Sequence, residues 1–266
     1  MDEDEIIGEL QIKTGIAIQR LKEHEPPEGY FLAFSGGKDS CVIYDLAKKA
    51  GVKFDAHFHK TTVDPPEVLD FIKANYPDVV WDRPKKSMFQ LILSESCLPT
   101  RTHRFCCRSL KEVGGKGRVI ITGIRWEEST SRAKRQIYEK SNKNDKKWFL
   151  NPIIDWGYND VWDYLALNQI LHCSLYNEGL KRIGCILCPF LSTDDKLYHI
   201  KRWPKFANAY RIAINKLYPI LKSRNRLHKK WNSPEDVWYW WVYGKDPGIP
   251  QQNKKNCKKK VPKVNT

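Results

Sequence analysis

The chain has 266 residues and a mass of 31.2 kDa, room for one large α/β domain with or without a helical appendage. Hydrophobic residues at 41% and charged residues at 29% predict a packed core and exclude global disorder. No apolar run reaches the roughly 18 to 20 residues of a membrane span, and the acidic start Met1 to Glu5 lacks a basic, then apolar, leader. A membrane or secreted protein is thus a poor reading, and a cytoplasmic location is expected. The 46 basic residues outnumber the 31 acidic ones, a formal charge of +15. Such an excess favours polyanions as partners, nucleic acid and nucleotides among them. Six lysines lie in the tail after Pro247, and without them the body still carries +9.

In chain order, Ile6, Ile7, Leu10, Ile16 and Leu21 recur at near-helical spacing, which predicts an amphipathic helix over 5–24 that Pro26, Pro27 and Gly29 stop. Tyr30 to Phe34 reads as a strand, Ser35-Gly36-Gly37 as a turn and Lys38 to Ala50 as a helix ended by Gly51. Val52 to Phe58 reads as a second strand. This strand–turn–helix–strand order is a βαβ unit and points to a parallel sheet. A helix is expected from Pro65 and Pro66 to Asn75, a strand at Val79 to Trp81 and a helix at Ser87 to Ser94. Arg118 to Gly123 reads as a strand, 132–147 as a mobile polar loop, and Trp148 to Ile154 as extended. A helix follows from Tyr158 to Leu167, with Asn159 and Asp160 at its start. Beyond Cys188 the chain turns helical and aromatic. The expected fold is an open, mostly parallel α/β sheet with helices on both faces and a helical C-terminal part. The expected divisions are a helix at 1–28, the α/β domain at 29–195, an aromatic-rich helical part at 196–249 and a disordered basic tail at 250–266.

Ser35-Gly36-Gly37-Lys38-Asp39-Ser40 falls between a strand and a helix. Two glycines let the backbone turn its N–H groups onto an anion, and the next helix aims its positive end there. Ser35 and Ser40 add hydroxyls and Lys38 a charge. The plainer alternative, a connecting turn, does not call for serine, lysine and aspartate around the glycines. The spacing is not that of a Walker loop.

At these residues the chain resembles the PP-loop ATP pyrophosphatases, which share a fold with the phosphoadenosine-phosphosulfate reductases. The resemblance implies an adenine nucleotide α-hydrolase-like fold, ATP with its β- and γ-phosphates on Ser35 to Ser40, and adenylation of a substrate with release of pyrophosphate. Further motifs carry it: Thr61-Thr62-Val63-Asp64-Pro65-Pro66-Glu67, then Gly123-Ile124-Arg125-Trp126-Glu127-Glu128-Ser129 with Arg132. Asn151-Pro152-Ile153-Ile154-Asp155-Trp156 with Asp160-Val161-Trp162, and Arg182-Ile183-Gly184-Cys185 through Cys188-Pro189, complete it over about 30–190. Guanidinium forks suit phosphate or sulfate, so Arg125 and Arg132 are candidate anion ligands. Glu127 and Glu128 are candidate Mg²⁺ ligands, or else simply neutralise Arg132. Lys38, Asp39 and Arg125 are the candidates for catalysis; Glu128 and Arg132 join the loop as nucleotide ligands.

Of eight cysteines, Cys106-Cys107 and Cys185-x-x-Cys188 form two pairs from distant segments. Four thiolates can close one tetrahedral metal site or one cluster, so zinc and iron–sulfur are both candidates. Within the resembled family this pattern implies a [4Fe-4S] cluster, as in adenylyl-sulfate reductases. Arg104, Arg108 and Lys111 flank the first pair and would offset its charge or hold an anionic substrate. Cys41 and Cys173 read as small core residues.

The match also departs. The assimilatory reductases carry Glu-Cys-Gly-Leu-His near the C-terminus, where this chain has Asn256-Cys257-Lys258. Their loop diverges from Ser-Gly-Gly-Lys-Asp-Ser, which is intact here. The motifs therefore favour an ATP-using relative that transfers sulfur, akin to the DNA phosphorothioation subunit, with a sulfur donor protein or sulfide and nucleic acid as partners. A thiol-dependent reductase using Cys257 is one alternative. Another is a nucleic-acid-binding module with a vestigial loop, whose basic, aromatic 200–266 region stacks bases; the plainer reading of those tryptophans is helix core.

Overall fold

The computed structural model describes residues 3–143 and 145–244. It divides into two compact units: residues 1–95 with 99–190, and residues 96–98 with those from 191 onward. The second boundary thus falls five residues before the expected one at 195, and the N-terminal helix belongs to the first unit. The basic tail and Cys257 lie outside the described residues.

The first unit is built on six strands: β1 (Tyr30–Phe34), β2 (Phe54–His59), β3 (Val80–Asp82), β4 (Val119–Ile121), β5 (Tyr138–Lys140) and β6 (Trp148–Leu150). Their order across the sheet is β3-β2-β1-β4-β6-β5, and all pairings are parallel except β5 with β6. Its helices are α1 (Glu3–Glu23), α2 (Lys38–Ala50), α3 (Pro66–Asn75), α4 (Met88–Glu95), α5 (Phe105–Leu110) and α6 (Tyr158–Leu167). Among the described residues, no helix is long and apolar enough to cross a membrane.

β1 shows how the layers form. Side chains alternate across a strand, so Tyr30 and Phe34 face one layer and Phe31 the other. The Tyr30 hydroxyl donates to the Leu21 carbonyl of α1 at 2.7 Å, and the Phe34 ring meets Tyr44 of α2. Phe31 stacks on His57 of β2, 4.2 Å between centroids. α1 buries Leu10, Ala17 and Leu21, each leucine worth roughly 2 kcal/mol on transfer from water. Ile16, expected on that face, is 40% exposed, so the buried stripe is narrower than the spacing suggested. Lys13 and Arg20 tie α1 to Asp160 and Asp155, each at 2.8 Å.

The stretch 132–147 is not the mobile loop expected from its charges. It holds a 3₁₀ turn at Arg132–Lys134 and then β5. Tyr138 stacks on Trp148 at 5.0 Å and the Asn151 N–H donates to the Ile137 carbonyl. An aromatic stack and backbone bonds to its neighbours thus order a segment that is mostly polar in composition. The strands are also shorter than read: β4 and β6 have three residues each, and β6 gives way to a turn after Leu150. α6 has the expected limits, Tyr158–Leu167, and is capped by Gly157, whose N–H donates to Asp160 at 2.6 Å.

The second unit holds α7 (Thr193–Arg202), α8 (Pro204–Ser223) and α9 (Pro234–Tyr243). Ser192 and Ser233 cap α7 and α9, each accepting from the N–H three residues on. Trp203, Trp238 and Trp241 are buried, and Tyr210 packs on Trp241 at 4.8 Å. These tryptophans are core residues, which removes them as base-stacking surfaces.

Candidate nucleotide and cysteine site

The Ser35–Ser40 loop leaves the C-terminal end of β1 and opens α2. That end of a parallel strand is where open α/β sheets hold ligands. Gly36 has φ +70°, and a Cβ there would stand 3.0 Å from Ile72 and 3.1 Å from Val68. Both the left-handed backbone and the packing of α3 demand glycine. Ser40 Oγ accepts from the Ser35 N–H (3.2 Å) and hydroxyl (3.1 Å) and donates to the Gly37 carbonyl (2.7 Å). The loop is thus held shaped by its own serines, and α2 presents its N-terminal dipole to the space above.

Lys38 is buried, pairs with Asp39 at 2.8 Å and lies over the Tyr158 ring at 5.4 Å. Arg125, 3% exposed, follows β4 and donates from Nε to Asp39 at 2.8 Å. Its Nη1 reaches Glu127 at 3.2 Å and the Trp156 carbonyl at 3.4 Å. Asp39 therefore bridges two buried cations brought from separate strands. Gly123 makes this approach possible, since a Cβ there would stand 3.0 Å from the Asp39 backbone. Glu128 accepts from the Arg125 N–H at 2.9 Å and pairs with Arg132. This pairing is the neutralising contact weighed for the two glutamates, and it commits Glu128 Oε2. Glu127 is the more open carboxylate, its side chain 54% exposed.

One residue of this site was missed in the sequence. The Tyr176 hydroxyl accepts the Lys38 N–H at 3.0 Å, across 138 positions of chain. Burial pushes its pKa up, which keeps the proton available for donation. Its ring packs edge-on against Trp162 at 5.1 Å. A tyrosine in the connection before the second cysteine pair carried no motif that would have marked it.

The two cysteine pairs converge. Cys106 and Cys107 open α5, and Cys185 and Cys188 sit in a turn whose Leu187 has φ +56°. Cys106 and Cys107 share a hydrogen bond; that bond, then burial, then the neighbouring thiolates of Cys107, Cys185 and Cys188 push the Cys106 thiol up. The bond from Cys106 and then the Arg104 guanidinium hold the Cys107 thiol well below its ordinary range. Lys111 has an open stem, yet its ammonium reaches Cys185, whose charge raises its pKa. Cys188 is pushed up by burial. Among the described residues, no three His, Cys, Asp or Glu side chains stand in ready metal-binding geometry. Arg108, named with Arg104 and Lys111 as a neighbour of the first pair, is exposed on α5. Cys41 and Cys173 are buried, as expected of core thiols.

The cysteine turn is tied to the segment after β2. The Ile186 N–H donates to the Val63 carbonyl at 2.8 Å, and Cys185 Sγ lies 3.5 Å from the Thr61 hydroxyl. Asp64, itself buried, accepts from the Thr61 N–H at 2.7 Å and hydroxyl at 2.6 Å. Segments that the sequence marked separately thus form one continuous structure.

This sheet order and this loop define an α/β protein of the adenine nucleotide α-hydrolase-like fold. The sequence profile of the phosphoadenosine phosphosulfate reductase domain matches residues 29–191, and the chain belongs to that family. Uncharacterized protein MJ0973 of Methanocaldococcus jannaschii is 32% identical over 215 residues, covering 77% of this chain and 52% of the relative. An adenosine 5'-phosphosulfate reductase of Oceanobacillus iheyensis is 28% identical over 182 residues, 64% of this chain and 75% of that one. The chain spans about half the length of the first curated relatives it matches, 52% and 41%. Among solved structures, FMN adenylyltransferase of Candida glabrata in complex with ATP shares the fold at TM-score 0.51 and 17% identity, over 70% of this chain and 64% of that one.

Proposed function

We propose that the chain is an ATP-using enzyme that adenylates an oxygen of an acceptor, releases pyrophosphate and so prepares that position for sulfur. The observation that carries this reading is the intact anion loop, with Lys38 and Arg125 gathered on Asp39 beside the α2 N-terminus. An acceptor oxygen attacks the α-phosphorus of ATP. The new P–O bond forms as the α–β bridging bond breaks, and its electron pair leaves on pyrophosphate. The loop N–H groups and Lys38 hold that anion. Sulfide then displaces AMP: the bond to sulfur forms and the bond to oxygen breaks, its pair leaving on AMP.

Glu127, whose open carboxylate meets Arg125, is the residue that would hold a Mg²⁺ to neutralise the phosphates. Cys106, Cys107, Cys185 and Cys188 are a soft donor set, with Arg104 and Lys111 to offset its charge. They fit a [4Fe-4S] cluster, with zinc the alternative. A bound cluster would supply a soft centre able to hold sulfur. Nucleic acid is the acceptor this reading favours, in line with the +15 charge. Catalysis is assigned to Lys38, Asp39 and Arg125, and the cytoplasm is the setting in which reduced thiols persist.

Anaerobic protein should contain about four irons and four sulfides per chain, lost in Cys185→Ser. It should also release pyrophosphate from ATP when given sulfide and bulk RNA or DNA. One zinc without sulfide, or no pyrophosphate with any acceptor, would overturn the corresponding half. The likeness to the Oceanobacillus reductase favours a second reading, reduction of adenylyl sulfate. Sulfite release from that substrate, abolished by Cys257→Ser, would establish it instead.

A further inference from the structure

From Lys196 through Pro234 the chain has eleven Lys and Arg and not one Asp or Glu. Solvent-facing helices ordinarily mix both signs, so an acid-free stretch covering most of two helices and a loop calls for an explanation. The structure shows where the charge goes. Lys196 is buried and donates to the Trp241 carbonyl at 2.8 Å, and Arg211 is paired with Glu235. Those two cations are structural.

The others are not. Along α8, Lys205, Asn208, Ile212, Asn215, Lys216 and Lys222 are exposed, at the spacing of a single helix face. The opposite side, with Ala207, Tyr210, Ile214, Leu217 and Leu221, is buried in the unit's core. From Lys205 to Lys222 this stripe runs about 26 Å at the rise of an α-helix. It continues into the loop before α9, where Arg226 and Lys229 are exposed. Among the described residues, Lys205, Lys216, Lys222, Arg226 and Lys229 form no ion pair. Amides stand between the lysines, and Ile212 is 47% exposed in the middle of the stripe.

We infer that the α8 face and the α8–α9 loop form a docking surface for single-stranded nucleic acid. A line of unpaired cations with no carboxylate among them tracks a phosphate backbone. Interleaved amides offer hydrogen bonds to base edges, and the exposed Ile212 meets base faces that only an unstacked strand displays. A duplex hides those faces, and a small anion needs only one or two of the cations. This deepens the reading of nucleic acid as acceptor, yet it is tested without ATP.

The full chain is titrated into a labelled single-stranded RNA of about 20 nucleotides, followed by fluorescence anisotropy across a range of salt. Each phosphate neutralised contributes about −0.7 to the slope of log K against log salt for single strands. Lys216→Gln, Lys222→Gln and Lys229→Gln combined should therefore flatten the slope by about 2 and weaken binding roughly 100-fold at 0.1 M salt. The circular dichroism and melting temperature of this variant should match the parent's. Unchanged binding in the variant would overturn the assignment. So would equal affinity for a duplex of the same length, or equal competition by inorganic polyphosphate of matched charge. Pyrophosphate release from ATP, measured separately without RNA, reports on the catalytic reading alone.

Discussion

Replacing Asp39 by alanine tests the logic of the loop directly. Its carboxylate is the counter-charge for Lys38 and Arg125, whose side chains are 5% and 4% exposed. Removing one partner of a buried ion pair costs about 3–5 kcal/mol, because the other charge is left without water or partner. Two features lower the figure here. Asp39 is itself 23% exposed, and Arg125 keeps Glu127 and the Trp156 carbonyl. The expected loss is therefore about 2 kcal/mol, roughly a thirtyfold fall in the folding equilibrium. Urea unfolding followed by circular dichroism measures it, and Asp39→Asn, which keeps an acceptor, should lose about half as much. Pyrophosphate should stabilise Asp39→Ala more than the parent, since an added anion replaces the missing carboxylate. A loss under about 0.5 kcal/mol, with no extra gain from pyrophosphate, would refute the idea that Asp39 holds two buried cations at an anion site.

Gly36→Ala forces a side chain into a left-handed position against Ile72 and Val68, and should cost about 2–4 kcal/mol in the same unfolding assay. Tyr176→Phe keeps the ring packing on Trp162 and deletes only the hydroxyl at the Lys38 N–H. It should weaken ATP about tenfold by calorimetry, while adenosine binding and the melting temperature stay unchanged. His199 is buried in the second unit, and burial lowers its pKa to about 4. The unfolded chain then takes up the proton first, so stability is full above about pH 6.5 and falls as the pH drops from there toward 4. The loss should reach about 3 kcal/mol at most, read as a falling melting temperature by tryptophan fluorescence, and His199→Gln should flatten it.

The loop was legible because its chemistry is local. Strand, two glycines and helix are consecutive in the chain, and each residue there has one evident task. The same holds for α2, whose apolar spacing and terminal Gly51 set its limits to the residue. The partners across the fold were not legible. Nothing local in Arg125 says that its guanidinium turns to Asp39, 86 positions earlier, or that Tyr176 closes the α2 terminus. The polar run at 132–147 was misread because composition averages over it, whereas its order rests on the pairing of β5 with β6, the stacking of Tyr138 on Trp148 and bonds from Trp126 and Asn151 to its backbone carbonyls. The cysteine pairs showed that four thiols belong together. That Thr61 and Val63 tie them to the segment after β2 emerges only in three dimensions.

The family profile begins at residue 29, but the folded unit does not. A fragment cut at that point would strip α1 from the sheet layer and bare the apolar surface that Leu10, Ala17 and Leu21 cover. It would orphan the fully buried Tyr30 hydroxyl, which bonds the Leu21 carbonyl, and leave Asp155 and Asp160 without Arg20 and Lys13. Such a truncation would fail as a soluble reagent for reasons unrelated to catalysis. Its loss of activity would reflect the place of the cut and leave the chemistry of the loop untouched.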